Sequence, residues 1–258
     1  MAGESIRAEV KALIKDTKTE PYARWIVKRL RGIRMPFALV KNEIYDRQAL
    51  EVMTRVLSAD SNCVDIGCHR GEWLRVFLKY APRGHHIAFE PIPHLAQRLR
   101  DEFPPVKIFE LALSDTFGEA AFYIIPGAPT LSGLHSRKFI RSTEPRQEIR
   151  VATSKLDSLI PADERVDFIK IDVEGAEGLV IAGALDTIRR NQPYIVLEHG
   201  VASSSAFGIS SSFIYETLVE RCGLQISLLA DWLSGSQPLT KKEFVAEREW
   251  YFLAHPVR

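Results

Sequence analysis

Cys63-Val64-Asp65-Ile66-Gly67-Cys68-His69-Arg70-Gly71-Glu72-Trp73 is the stretch of this chain best suited to hold a ligand. A short apolar run ends in an acid and two glycines, and Trp73, Leu74, Phe77 and Leu78 then follow helical spacing. The pattern reads as strand, tight turn and helix. Glycines let the backbone approach a ligand closely, and the N–H groups that open the helix are free to meet polar ligand atoms. The pyrophosphate fingerprint G-x-G-x-x-G is absent, because His69 stands where its second glycine belongs. What remains, D-x-G-x-x-x-G, suits a nucleoside whose charged tail is an amino acid. The competing reading of this stretch, taken alone, is a buried strand with a purely structural turn.

Six more polar residues close later apolar runs. Glu90 follows residues 86–89, Ser114 and Asp115 follow 107–113, Asp172 lies near the end of 166–173, and Glu198 and His199 follow 194–197. Packing gives no reason for polar residues at every one of these ends. In open parallel sheets, ligands bind at the carboxyl ends of strands near the point where strand order reverses.

The elements that must position them alternate in type. Each of the first strands is followed by a helical pattern: Leu95, Leu99 and Phe103 after the second, Leu179, Val180, Ala184 and Ile188 after the fourth. Such repeats imply a parallel sheet with helices on both faces, and right-handed crossovers set the first and fourth strands side by side. The rhythm breaks over residues 116–155, where 120–125 and 148–153 read as a hairpin that either walls the strand ends or extends an edge. A helix is expected over 213–222. Residues 225–230 and 250–254 read as a final antiparallel pair without a crossover helix between them. His85 and His86 are expected at the surface, at the sheet edge away from the site, and Trp73 in the core. For Glu177, the favoured reading is an acid that suits a helix start.

The expected domains are a helical cap over residues 1–57, with a helix at 47–57, and a main domain over 58–258 that carries the insertion. Residues 1–34 hold nine Lys/Arg against four Asp/Glu, on helical patterns broken near Pro21. A plain cap is the first reading, and peripheral contact with a membrane surface or a partner is the second. The overall net charge of +1 gives no global reason to expect nucleic acid. Three cysteines without C-x-x-C spacing argue against a disulfide framework or a zinc ribbon. No apolar run approaches about 18 residues, so a cytoplasmic protein is expected, peripheral to a membrane in the second reading.

The motifs V64-D65-I66-G67-C68-H69-R70-G71, F89-E90-P91, A112-L113-S114-D115, L156-D157-S158-L159, F168-I169-K170-I171-D172-V173-E174-G175-A176-E177 and L197-E198-H199-G200 together resemble the FkbM family of S-adenosylmethionine-dependent methyltransferases. The resemblance runs in order from about residue 42 to 200. It implies an α/β, Rossmann-like, mostly parallel sheet of seven strands in the order 3-2-1-4-5-7-6, the last antiparallel. It also implies methylation of a hydroxyl on a small molecule such as a sugar or glycosylated natural product. By the same resemblance, Asp65, Gly67 and Gly71 shape the cradle for the methionine part of the cofactor and Glu90 takes the two ribose hydroxyls. Ser114 and Asp115 then lie near the adenine. His69 stands where the family commonly has Asn, which leaves its own role at the cradle open.

Methyl transfer to an alcohol needs alignment and a way to remove the hydroxyl proton. Two readings are open if the fourth and fifth strands are neighbours about 4.8 Å apart. In the preferred one, His199 is the general base and Asp172 orients it or touches the cofactor's ammonium. In the other, Asp172, Glu198 and His199 hold a hard cation such as Mg2+, although an imidazole is less typical of that ion. A non-catalytic binding protein that keeps the fold and works through its basic N-terminus is the rival from another class. A nicotinamide oxidoreductase is disfavoured by the missing glycines.

Overall fold

A computed structural model describes residues 37–125, 132–134 and 147–257. The expected basic helices of residues 1–34 and the tip of the insertion, His135 included, lie outside the described residues. The chain divides between Ile44 and Tyr45 into two compact units, and of the first only residues 37–44 are described. They form the start of helix α1, Phe37–Val56, which begins ten residues before the expected position.

In the larger unit, the central strands are short runs buried on both sides, as strands covered by helices on two faces must be, while the edge strand at Lys107–Phe109 is partly exposed. In chain order the main sheet contains β1 (Cys63–Ile66), β2 (Ile87–Phe89), β3 (Lys107–Phe109), β7 (Phe168–Ile171), β8 (Tyr194–Glu198), β9 (Gln225–Leu228) and β10 (Tyr251–His255). They lie side by side as β3-β2-β1-β7-β8-β10-β9, with β10 antiparallel to both of its neighbours. Counted within this sheet alone, the order is 3-2-1-4-5-7-6. The difference from expectation is in the third run. Residues 107–113 split into β3 and a two-residue strand β4 (Ala112–Leu113), which leaves the main sheet and pairs with β6 (Gln147–Ser154). Strand β6 pairs antiparallel with β5 (Gly118–Ile124), so the insertion is a three-stranded sheet of its own.

Strand alternation sorts the side chains into two cores. On one face, Cys63, Ala88, Phe168, Val196 and Leu253 pack with Leu74 and Phe77 of α2 (Glu72–Tyr80) and with Ala49, Val52 and Met53 of α1. On the other, Val64, Ile66, Ile169, Ile171, Leu197 and Phe252 pack with Val180 and Ile181 of α4 (Glu177–Ala182) and with Ile188 of α5 (Leu185–Asn191). Between β2 and β3 runs α3 (Pro93–Glu102). Downstream of β8 come α6 (Val201–Ser204) and α7 (Ser211–Tyr215), which winds on through a wider turn at Glu216–Arg221. Two short helices, α8 (Leu229–Ser234) and α9 (Lys241–Ala246), join the last two strands.

The histidine expected at the surface beside the first strand is inside: His86 is 2 % exposed, accepts from the Cys63 N–H at 3.3 Å and meets the Ala81 carbonyl at 2.9 Å. Trp73 is half-buried against the α1/α2 core. Among the described residues, no helix is long and apolar enough to cross a membrane.

Candidate active site

The turn after β1 is built by close approach. Gly67 has φ 81°, and a Cβ on it would lie 2.0 Å from the Asp172 carbonyl oxygen, so only glycine fits between the β1 and β7 ends. The Gly67 and Cys68 N–H groups donate to the Phe89 carbonyl, which ties the turn to β2. Gly71, at φ 74°, starts α2 beside the Phe103 ring. His69 also sits at positive φ, 47°, and its N–H donates to Glu90 Oε2 at 2.9 Å. Glu90 is 3 % exposed and takes a second bond, on Oε1, from the Ile92 N–H at 2.9 Å. Burial pushes its carboxyl up to about 7 against those two bonds. Each oxygen keeps a further lone pair for a hydroxyl donor.

Asp65 is fully buried, and neither of its carboxylate oxygens has a hydrogen-bond partner. Burial, with the Asp172 and Glu72 charges added, pushes it up to about 7 despite the nearby Lys170 ammonium. The His69 ring is likewise incomplete: its Nε2 is buried without a partner, and burial lowers its pKa. Buried orphan groups are rare in folded proteins and ask for a reason.

Strand parity gathers the rest. Asp65 pairs in register with Lys170, and Glu198 with Tyr251. Lys170, Asp172, Glu198 and Tyr251 therefore stand on the same sheet face as Asp65. Lys170 Nζ lies 3.0 Å from Asp172 Oδ2, the Tyr251 hydroxyl donates to the same oxygen at 3.2 Å, and Glu198 stands beside Asp172, one position beyond the Ile171–Leu197 pair. The Lys170 ammonium also sits 5.9 Å from the Trp73 ring centre. Burial opposes charge on Lys170, yet the Asp172 and Asp65 carboxylates hold its pKa above the usual value. Burial presses the Asp172 carboxyl upward too, but Lys170 and the bonds from Glu198, Lys170 and Tyr251 prevail and keep it below the usual range. Burial and the Asp172 charge send Glu198 well above that range.

Odd parity sends His199 to the other face. It is 3 % exposed and stacks on Phe244 of α9, and its ring nitrogens meet Ser211 Oγ at 2.9 Å and Ser204 Oγ at 3.0 Å. Burial lowers it to about 4, so the ring is neutral. The expected pairing of His199 with Asp172 is not formed, because successive strand residues point to opposite faces and both nitrogens are engaged. For the same reason the set Asp172, Glu198 and His199 does not assemble. Among the described residues, no three His, Cys, Asp or Glu side chains are grouped to hold a metal ion. His199 instead floors a cavity of about 290 Å3 with Glu247, Arg248 and Trp250 at its walls.

Ser114 and Asp115 follow β4, outside the main sheet. The Ser114 N–H donates to the Ser154 carbonyl and its hydroxyl to Asp115 Oδ1 at 3.2 Å. Asp115 borders a separate cavity of about 480 Å3 between α4 and α7, away from the turn after β1. Glu177 is more than a helix-start acid: it is 1 % exposed and accepts from the Gly175 N–H at 2.9 Å. Lys170 and Tyr251 were not singled out from sequence. A lysine two residues before an acid in an apolar strand, and an aromatic opposite another acid, were the available signals.

Residues 65–226 match the family model described as the methyltransferase FkbM domain, which covers more than half of the chain. The chain belongs to the FkbM methyltransferase family. Over 179 residues it is 32 % identical to the 2-O-methyltransferase NoeI of Sinorhizobium fredii, spanning 62 % of this chain and 70 % of NoeI. It is 27 % identical to part of the AMB antimetabolite synthetase AmbE of Pseudomonas aeruginosa, across 74 % of this chain but only 10 % of AmbE. A solved FkbM methyltransferase from Methylobacillus flagellatus superposes with a TM-score of 0.46 at 16 % identity, covering 77 % of this chain and 44 % of that one. This FkbM chain is an S-adenosylmethionine-dependent methyltransferase, and its residues fit that cofactor. The unpartnered Asp65 carboxylate suits an ammonium, and the Glu90 oxygens suit a ribose diol.

Proposed function

We propose that the enzyme moves the methyl group of S-adenosylmethionine to a hydroxyl oxygen of a small molecule, with a sugar or glycosylated metabolite as the substrate class. The observation that carries this reading is the Asp172 carboxylate. Its side chain is 24 % exposed, in front of a Lys170 side chain that is 4 % exposed, and it stands on the same sheet face as Asp65. A carboxylate held open in this way accepts a proton from an alcohol. The cofactor, when bound, supplies an activated methyl carbon. Asp65 holds its ammonium, Glu90 accepts from its ribose, and His69 turns the Glu90 carboxylate by a backbone bond. NoeI, by its name a 2-O-methyltransferase, supports oxygen as the target. Ser114 and Asp115 are assigned to the adenine side by the family resemblance alone.

Calorimetry with S-adenosylmethionine, followed by transfer of labelled methyl to a panel of glycosides, simple alcohols and amines, tests the proposal. Saturable binding, about tenfold or more weaker in Glu90→Ala, and label recovered on glycoside oxygen are expected. Label on nitrogen, or equal transfer to any alcohol, overturns the acceptor class. Unaltered binding in Glu90→Ala overturns the cofactor contacts.

A further inference from the structure

Two carboxyl groups that hydrogen-bond to each other must carry a proton between them, because an ionised carboxylate has no donor. Asp172 and Glu198 stand side by side on one sheet face, one position beyond the Ile171–Leu197 pair of the adjacent strands β7 and β8, where a proton on either carboxyl serves the other as a hydrogen-bond donor. Their surroundings are unequal. Asp172 Oδ2 receives both the Lys170 ammonium, at 3.0 Å, and the Tyr251 hydroxyl, at 3.2 Å. The charges facing Glu198 are mainly negative, from Asp172 and from Glu177 at the start of α4, with Lys170 as the counterweight. Asp65 on β1 adds its charge at Lys170, and the Asp172 charge reaches the His69 ring in the turn after β1. The proton therefore resides on Glu198, and Asp172 stays ionised.

We propose that Glu198, as the neutral acid, is a positioning residue: it donates its proton in a hydrogen bond to Asp172 and fixes that carboxylate as the base for the acceptor hydroxyl. Lys170 is the second positioning residue, holding the same carboxylate from behind. This rests on the O-methyl transfer reading above. In the step, the acceptor oxygen forms its bond to the methyl carbon while the sulfur–carbon bond breaks and its electron pair returns to sulfur. The O–H bond of the acceptor breaks and its proton passes to Asp172. Both carboxyls are then neutral, and one proton leaves to water before the next cycle.

Three variants separate the roles. Glu198→Gln keeps a donor that cannot ionise, Glu198→Leu removes it, and Asp172→Asn removes the base. Cofactor affinity by calorimetry is expected within about threefold of wild type in both Glu198 variants. Turnover should stay within about tenfold in Glu198→Gln and fall roughly a hundredfold or more in Glu198→Leu and Asp172→Asn. The alkaline limb of the turnover–pH profile should vanish in Glu198→Gln, since ionisation of Glu198 is what ends donation at high pH.

A second readout needs neither substrate nor cofactor. At about pH 8.5, above the value near 7 of Asp65, Glu90 and Glu177, the infrared difference between wild type and Glu198→Gln should contain a protonated-carboxyl stretch. Its absence overturns the neutral-acid assignment. Turnover in Glu198→Gln as low as in Glu198→Leu, with folding intact, overturns the positioning role. Failure of the wild type to bind S-adenosylmethionine would instead remove the cofactor reading and leave the infrared result standing.

Discussion

Asp65 is the residue whose physics constrains the site most tightly. A carboxyl with no hydrogen bond and no exposed surface holds its proton near neutrality, at about 7, as Glu90 does for the same reason of burial. A bound ammonium at Asp65, and hydroxyls donating to Glu90, favour the ionised forms. Cofactor binding must then release protons when it occurs at or below neutral pH. Affinity for S-adenosylmethionine is expected to rise as pH goes from about 6 to about 8 and then level off. The binding enthalpy measured near pH 6.5 should depend on the buffer's ionisation heat, and a buffer-independent enthalpy would refute this. In the ligand-free protein the sign is opposite. A carboxyl raised in the folded state from the ordinary 3.8 contributes stability that is full below that value and is lost as pH rises through about 7. Asp65→Asn should therefore be more stable than wild type at about pH 8, by at most about 4 kcal/mol, with little difference at about pH 4. Thermal melts at the two pH values measure it. The identity and strand-end position of Asp65, Glu90 and Asp172 were legible in the sequence because each interrupts an apolar run. Which sheet face each one occupies was not weighed. Parity alone separates Glu198, beside Asp172, from His199, beside Phe244 on the other face of β8.

At the scale of elements, the turn between β1 and α2 depends on Gly67. Its Cβ-free approach to the Asp172 carbonyl joins the turn after β1 to the strand that carries the proposed base. In Gly67→Ala the new Cβ collides with the Asp172 carbonyl and the residue is strained at a φ of 81°, so β7 must move or the turn must change its conformation. A loss of roughly 2–4 kcal/mol is expected from denaturant midpoints. Cofactor affinity should fall further than stability accounts for, because Asp172 shifts with its carbonyl; equal affinity in a folded Gly67→Ala protein would sink the argument. Periodicity exposed strands and helices of this kind well, since a buried parallel strand is an apolar run and an amphipathic helix is a stripe. It failed where the chain keeps its apolar pattern but changes sheet. Residues 107–113 read as one strand, yet Glu110 and Leu111 carry the chain from β3 to β4 and into the sheet of the insertion. His86 lies inside against expectation because its two ring bonds, to the Cys63 N–H and the Ala81 carbonyl, satisfy it there and leave no mark in the sequence.

For the molecule as a whole, the question is which part of the chain the catalytic unit needs. The larger compact unit begins at Tyr45, inside α1, and the buried residues Ala49, Val52 and Met53 of that helix fill the same core as Phe77 and Phe168. Tyr45 stacks on Tyr251 at 4.9 Å between ring centres, so α1 also supports the tyrosine that donates to Asp172. A chain lacking residues 1–34 is expected to unfold cooperatively and to bind S-adenosylmethionine within about threefold of the full chain. Removal of residues 1–56 takes the four buried side chains Tyr45, Ala49, Val52 and Met53 out of this core at once, at a cost of about 2–5 kcal/mol for Met53 alone, which exceeds what a marginally stable domain tolerates once the others are added. Loss of a cooperative transition in that shorter chain, by circular dichroism and calorimetry, is the expected result. Sedimentation with anionic vesicles, run on the full chain and on the chain lacking 1–34, tests the proposed membrane contact separately. The excess of five basic charges in that segment predicts binding that weakens with salt and disappears with the segment. Vesicle binding that survives the deletion would move the contact onto the catalytic unit, and a shortened chain that no longer binds the cofactor would make the basic segment part of the enzyme's working structure.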